Sequence, residues 1–228
     1  MIAHKKEFYG GAGMLAAFLI VLAIIFMPVF NGHNGLNYLD ALYNSISKGS
    51  AYYIPKVIDE AKALDGRKVD LTFTMISDAQ ADQMATQLMA AGALVNRSGG
   101  QLKVSADLGA ILKAALVDAD AMYNNDGKAL SDRYGFGERQ ALYNWWYGLN
   151  QMDKAMKKQK LFKEARITDM AKTKAVETAY NYYGIQAENI SSRIGIVVFS
   201  LLFYVIYTLW YGYAILFLFE GWGMDLGH

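Results

Sequence analysis

Residues 194–219 read IGIVVFSLLFYVIYTLWYGYAILFLF, 26 residues without a charge, with Arg193 before them and Glu220 after. An α-helix rises about 1.5 Å per residue, and a hydrocarbon core is about 30 Å thick. The run is therefore longer than a membrane crossing requires, and tilt or extension into the interface is expected. Working back toward the N-terminus, residues 14–30 form a second uncharged run, MLAAFLIVLAIIFMPVF. It reaches spanning length with the small residues before it. It ends in Met27-Pro-Val-Phe30 instead of a small-x-small cleavage site, so an uncleaved anchor is expected, not a removed signal peptide.

Two spans set the expected layout: a short tail (1–13), a transmembrane helix (14–30), a water-soluble domain (31–193), a second transmembrane helix (194–219) and a short tail (220–228). Lys5 and Lys6 precede the first span, whereas residues 31–47 contain no Lys or Arg. Positive charge stays cytoplasmic, which places both termini in the cytoplasm and the domain outside it, as in a bacterial inner membrane. Arg193, on the domain side of the second span, argues weakly the other way.

The stretch between the spans changes periodicity several times. After a Gly/Asn linker (31–35), Leu36, Leu39, Leu42, Tyr43 and Ile46 repeat at helical spacing up to a break at Lys48-Gly-Ser50. A second helix runs through Pro55 to Leu64 and stops at Asp65-Gly66. Val69, Leu71, Phe73 and Met75 then alternate with Asp70, Thr72 and Thr74, the pattern of a half-buried strand. Ser77 is placed to cap a helix ending at Gly92. Strands around 93–96 and 101–105 flank a Gly99-Gly100 turn, and Asp107 opens a further helix through Met122. Later, Leu142, Trp145, Leu149, Met152 and Met156 form a seam at alternating spacings of three and four. Helix is expected again from Lys163 to Tyr183, with a hinge at Gly184 and a nearly unbroken run into the second span. The expected fold is thus mainly α, a helix-rich α+β soluble domain with a small sheet between two transmembrane helices.

Chemistry is hard to find in these residues. The chain has no cysteine, three histidines (His4, His33 and His228) and a net charge of +1. Thiolate chemistry is excluded, and neither a long-range field nor a basic aromatic stripe recruits nucleic acid. Asp118, Asp120, Asn124, Asn125 and Asp126 crowd together before Gly127, but their offsets do not fit a calcium loop, and a solvated helix end is expected. Gly99-Gly100 lacks the Lys-Ser/Thr of a phosphate loop. No catalytic residue, metal ligand or cofactor is assigned.

What the sequence does offer is surplus aromatic surface. Trp145, Trp146 and Tyr147 follow one another on a helix and cannot share one buried face, which marks them as a candidate domain interface. In the second span, Tyr204, Tyr207 and Tyr211 lie three and four apart, a stripe of hydroxyls that costs free energy in lipid unless partnered. In the first, Gly13 and Ala17 stand four apart, a spacing that lets membrane helices approach closely. These five are the candidate intramembrane interface. The layout resembles the sensory half of bacterial chemoreceptors and sensor kinases, without a shared motif and without an output domain after Phe219, and no family is assigned. The expected role is a non-enzymatic structural or accessory subunit of a membrane assembly, in contact with the bilayer and with other copies or other membrane subunits. The alternative is an extracytoplasmic ligand-binding or sensory module signalling through a partner.

Overall fold

The computed structural model describes residues 2–30 and 32–224. Met1, Asn31 of the expected linker, and residues 225–228 of the expected C-terminal tail lie outside the described residues. Helix dominates, at 72%, accompanied by a small three-stranded antiparallel sheet, which is the helix-rich α+β character expected. The chain divides into two compact units, one of residues 1–47 with 187–228 and one of residues 48–186. The second unit is shorter than the 31–193 expected for the domain, because most of the first amphipathic helix and residues 187–193 group with the apolar helices.

The first unit is built on two helices, α1 (Lys5–Phe26) and α10 (Ile190–Gly221), both long and apolar enough to cross a membrane. Helix α1 stops at Phe26, not Phe30. Met27 is extended (φ −75°, ψ 149°), as the residue before Pro28 must be to avoid the pyrrolidine ring. The pair runs antiparallel. The amides of Ala3 and His4 donate to the carbonyl of Gly221 at 3.0 and 3.1 Å, and the Trp210 indole donates to the Met14 carbonyl at 3.0 Å. Helix α2 (Gly35–Ser50) runs through the expected break at residues 48–50. Its part in this unit is tied to α10 by a 2.6 Å hydrogen bond between the Tyr43 hydroxyl and Ser200 Oγ. Helix α10 does not continue from the preceding helix: residues 183–189 are non-helical, Gly184 sits at φ +89°, and Asn189 caps the new start.

The second unit begins with α3 (Ile54–Ala61), which carries Pro55 in its first turn and tightens into a 3₁₀ turn (Lys62–Leu64). Strand β1 (Lys68–Thr74) leads into α4 (Asp78–Ala90), where Ser77 Oγ accepts from the Gln80 amide as a proper N-cap. Strands β2 (Leu94–Ser98) and β3 (Gln101–Asp107) form a hairpin about Gly99, whose φ of +57° suits a tight reversal. The sheet order is β1-β3-β2, all antiparallel. Alternation sends Val69, Leu71, Phe73, Leu102 and Val104 into the core and leaves Thr72, Thr74 and Lys103 on the open face.

Helices close over the apolar face: α5 (Leu108–Tyr123, capped by Asp107), α6 (Lys128–Tyr134), α7 (Glu138–Lys158), α8 (Phe162–Ala171) and α9 (Glu177–Tyr182). A π-helical segment, Lys172–Val176, joins the last two. The seam expected along α7 is the heart of this core, since Leu142, Trp145, Leu149, Met152 and Met156 are all fully buried.

Candidate functional site

The helix pair and the helical core each hold some of the residues singled out in the sequence. Between α1 and α10 the close approach is made by Gly11, not Gly13. A Cβ at Gly11 would lie 2.7 Å from the Leu218 nitrogen and 2.9 Å from the Ala214 carbonyl, whereas one at Gly13 would meet nothing within 4 Å. Two residues along a helix amount to about 200° of rotation, so these two glycines face opposite ways. Ala17 is half-buried. One turn nearer the chain termini, Gly221 closes on Phe8, where a Cβ would stand 2.5 Å from the Phe8 Cα.

The tyrosine stripe divides in the same way. Phe18 of α1 stacks on Tyr207 at 4.2 Å and lies 5.2 Å from the Tyr211 ring. Tyr204 stands outside the contact, 68% exposed. The Tyr207 hydroxyl is enclosed without a hydrogen-bond partner, so ring packing, not hydroxyl pairing, joins the helices here.

In the second unit the expected aromatic interface loses its first member. Trp145 is fully buried, and its indole donates to Asp118 Oδ2 at 2.7 Å. It is therefore unavailable to a partner. Trp146 and Tyr147 are half-buried; the Trp146 indole donates to Glu177 at 3.0 Å, and its ring stacks with Tyr143.

Asp118 overturns the expectation of a solvated helix end. Its carboxylate has no exposed surface and also accepts from the Tyr134 hydroxyl at 2.6 Å and from the Arg133 guanidinium. Burial pushes the Asp118 carboxyl up, opposed by hydrogen bonds from Tyr134 and Trp145 and by the charge of Arg133. Burial and the neighbouring carboxylate push the Tyr134 phenol up in turn. Three helices thus meet on one carboxylate whose donors already occupy it, an arrangement suited to tying a core together and not to reaching a substrate.

No protein-family model, characterised protein or solved structure matches this chain.

A second polar centre gathers residues that sequence reading treated as turn and spacer. Lys48, almost fully buried, donates from Nζ to the Ile185 carbonyl at 2.6 Å, the Tyr182 carbonyl at 3.1 Å and Asn125 Oδ1 at 3.2 Å. Its ammonium lies 5.1 Å from the centroid of the Tyr123 ring, and the Tyr123 hydroxyl donates to the Lys48 carbonyl. Asn125, in the left-handed region at φ +63°, completes the centre: its Nδ2 donates to Ile185, and its Oδ1 accepts from the Gly184 amide at 2.8 Å. Desolvation pulls the Lys48 ammonium down from its ordinary value. All three ammonium protons are taken, so the group acts as a clamp. Only distant partners, 77 to 137 residues away, reveal it. Among the described residues no group of three His, Asp or Glu side chains could hold a metal ion.

Proposed function

We propose that the protein is a membrane-anchored structural or accessory subunit, with α1 and α10 crossing a bilayer as a pair and α10 contacting further copies or other subunits. The carrying observation is the surface of α10 that α1 leaves uncovered. Tyr204 and Tyr213, on opposite flanks of the helix, are 68% and 52% exposed, Tyr211 beside Phe18 is still 47% exposed, and no side chain of α1 hydrogen-bonds their hydroxyls among the described residues. Leucine would anchor as well without a hydroxyl to satisfy, so exposed tyrosines along this helix are suited to protein neighbours. The bare apolar surface around the pair supports a bilayer as its solvent. Lys5 and Lys6 at the end where Ala3 meets Gly221 favour that end as cytoplasmic, in a bacterial inner membrane, with residues 48–186 outside.

The size of the nanodisc-embedded protein, read by mass photometry, tests the reading. An assembly larger than one chain that is weakened by Y204F/Y211F/Y213F, but not by Y207F, is expected. A monomer indifferent to the triple change would overturn self-association. Orientation is tested by single cysteines in this cysteine-free chain at exposed Ile76 or Leu94. Labelling by an impermeant maleimide in intact cells is expected, and labelling only after lysis would reverse it.

A further inference from the structure

Strand β1 is an edge strand, and its free edge borders a groove of about 540 Å³. The Leu108 amide bonds to the Arg67 carbonyl and the Met75 amide to the Gly100 carbonyl, which fixes the odd residues of β1 as the pairs bonded to β3. The even residues therefore turn their N–H and C=O groups away from the sheet. The Gln159 side chain confirms the parity by donating to the Asp70 carbonyl from outside at 2.8 Å. Beyond that one cap, Thr72 and Thr74 present their backbone groups to the groove.

The opposite wall is basic. Gln151, Lys154 and Lys158 of α7 face Thr72, Thr74 and Gln101 across the groove. Lys157 is held by Asp153 at 2.8 Å, but no carboxylate lies within ion-pair distance of Lys154 or Lys158 among the described residues. Lys160 and Lys163 extend the charge around exposed Phe162 in the following turn. The one carboxylate on β1, Asp70, is engaged by the Ser105 hydroxyl. With a net charge of only +1 over the whole chain, this is a local concentration that the overall balance conceals.

We propose that this groove binds an extended acidic segment of a partner protein, which adds a strand to β1 and sets its carboxylates against Lys154 and Lys158. Free strand edges are templates for pairing, and main-chain bonds supply the affinity in such additions while flanking side chains select the sequence. Charge selects the occupant here, because the wall offers donors and cations and no deep apolar pocket. The inference is independent of membrane anchoring, since everything it uses lies within residues 48–186.

The test uses the full chain in nanodiscs of uncharged lipid and a fluorescein-labelled (Glu-Val)4 octapeptide, followed by anisotropy. Micromolar binding is expected, weakened at least tenfold when alternate peptide nitrogens are methylated and absent for (Lys-Val)4. The K154E/K158E variant should lose (Glu-Val)4 and gain (Lys-Val)4, a reversal that a misfolded variant would not show. Slowed hydrogen exchange at the Thr72 and Thr74 amides should accompany binding. Equal binding of the N-methylated peptide would overturn strand addition in favour of a simple charge patch. Failure of (Glu-Val)4 to bind overturns the proposal, as does capture of anionic vesicles without the peptide, which would mark a lipid-facing surface.

Discussion

The ammonium of Lys48 lies 2.6 Å from the carbonyl oxygen of Ile185, 137 residues further along the chain. The chain enters the unit of residues 48–186 at the first of these residues and leaves just after the second. One buried cation thus staples entry to exit, and Asn125 braces it from the turn after α5.

Lys48→Met keeps the aliphatic stem and removes the three donated bonds. The Tyr182 and Ile185 carbonyls each keep one donor, the Ile185 amide and Asn125 Nδ2, so the cost is that of the lost hydrogen bonds from a charged group, about 1.5–3 kcal/mol. The expected result is a lower melting temperature together with faster proteolysis at residues 183–186. An unchanged cleavage pattern would show that the exit is held by Asn125 alone.

The Tyr123 hydroxyl, donating to the Lys48 carbonyl, gives the same centre an alkaline signature. Burial, aided by the nearby phenols of Tyr182, Tyr52 and Tyr53, pushes its pKa from 10.0 up to about 12. Between those values the unfolded chain releases the proton while the folded one keeps it. The folded state binds more protons there, so stability falls as pH rises through the window. Tyr123→Phe should flatten that part of the stability curve, measured by urea unfolding between pH 9 and 11.5. A slope equal to that of the unsubstituted protein would place the alkaline loss on other tyrosines.

At Asp118, removal and mimicry should separate. Asp118→Ala strands the Trp145 indole and the Tyr134 hydroxyl in the core and should cost about 3 kcal/mol, in the range for breaking buried charged networks. Asp118→Asn retains an acceptor and should cost less. Trp145 is enclosed, so a red shift of tryptophan emission in Asp118→Ala, absent in Asp118→Asn, would report the loosened contact. Equal losses would mean that charge, not hydrogen-bond acceptance, holds the three helices.

Gly11 and Gly13 make a matched pair for the apolar helices. Gly11→Val puts side-chain atoms where the Leu218 nitrogen already stands, 2.7 Å from the Cβ, and should lower the melting temperature in detergent by several degrees. Gly13→Val meets open space and should leave it nearly unchanged. The reverse ranking would show that the helices pack through the other face.

The local elements were legible because their signals are local. Strict alternation in β1, the serine cap of α4, the Gly99 reversal and the heptad-like seam of α7 each depend on neighbours within a few residues. What escaped depends on rotation or on distance. Small-residue spacing points to Gly13, with Ala17 four residues on, and away from Gly11, which has Leu15 there, whereas the turn of α1 about its axis brings Gly11 against α10. Asp118 looks like one more carboxylate at a helix end until Arg133, Tyr134 and Trp145 arrive from two other helices. The break at 183–189 was hidden because Gly184 suits a bend and a stop equally well, and the Lys48 clamp that accompanies it leaves no mark on sequence spacing. The basic wall of α7 was masked by a nearly neutral total.

The meeting of Ala3 with Gly221 has a practical corollary. Whatever is fused ahead of Ala3 and behind Gly221 emerges from the same end of the hairpin, side by side. Two halves of a split fluorescent reporter attached at these positions should complement within a single polypeptide. Their signal would serve as a gauge of whether the hairpin is closed, read in living cells without purification.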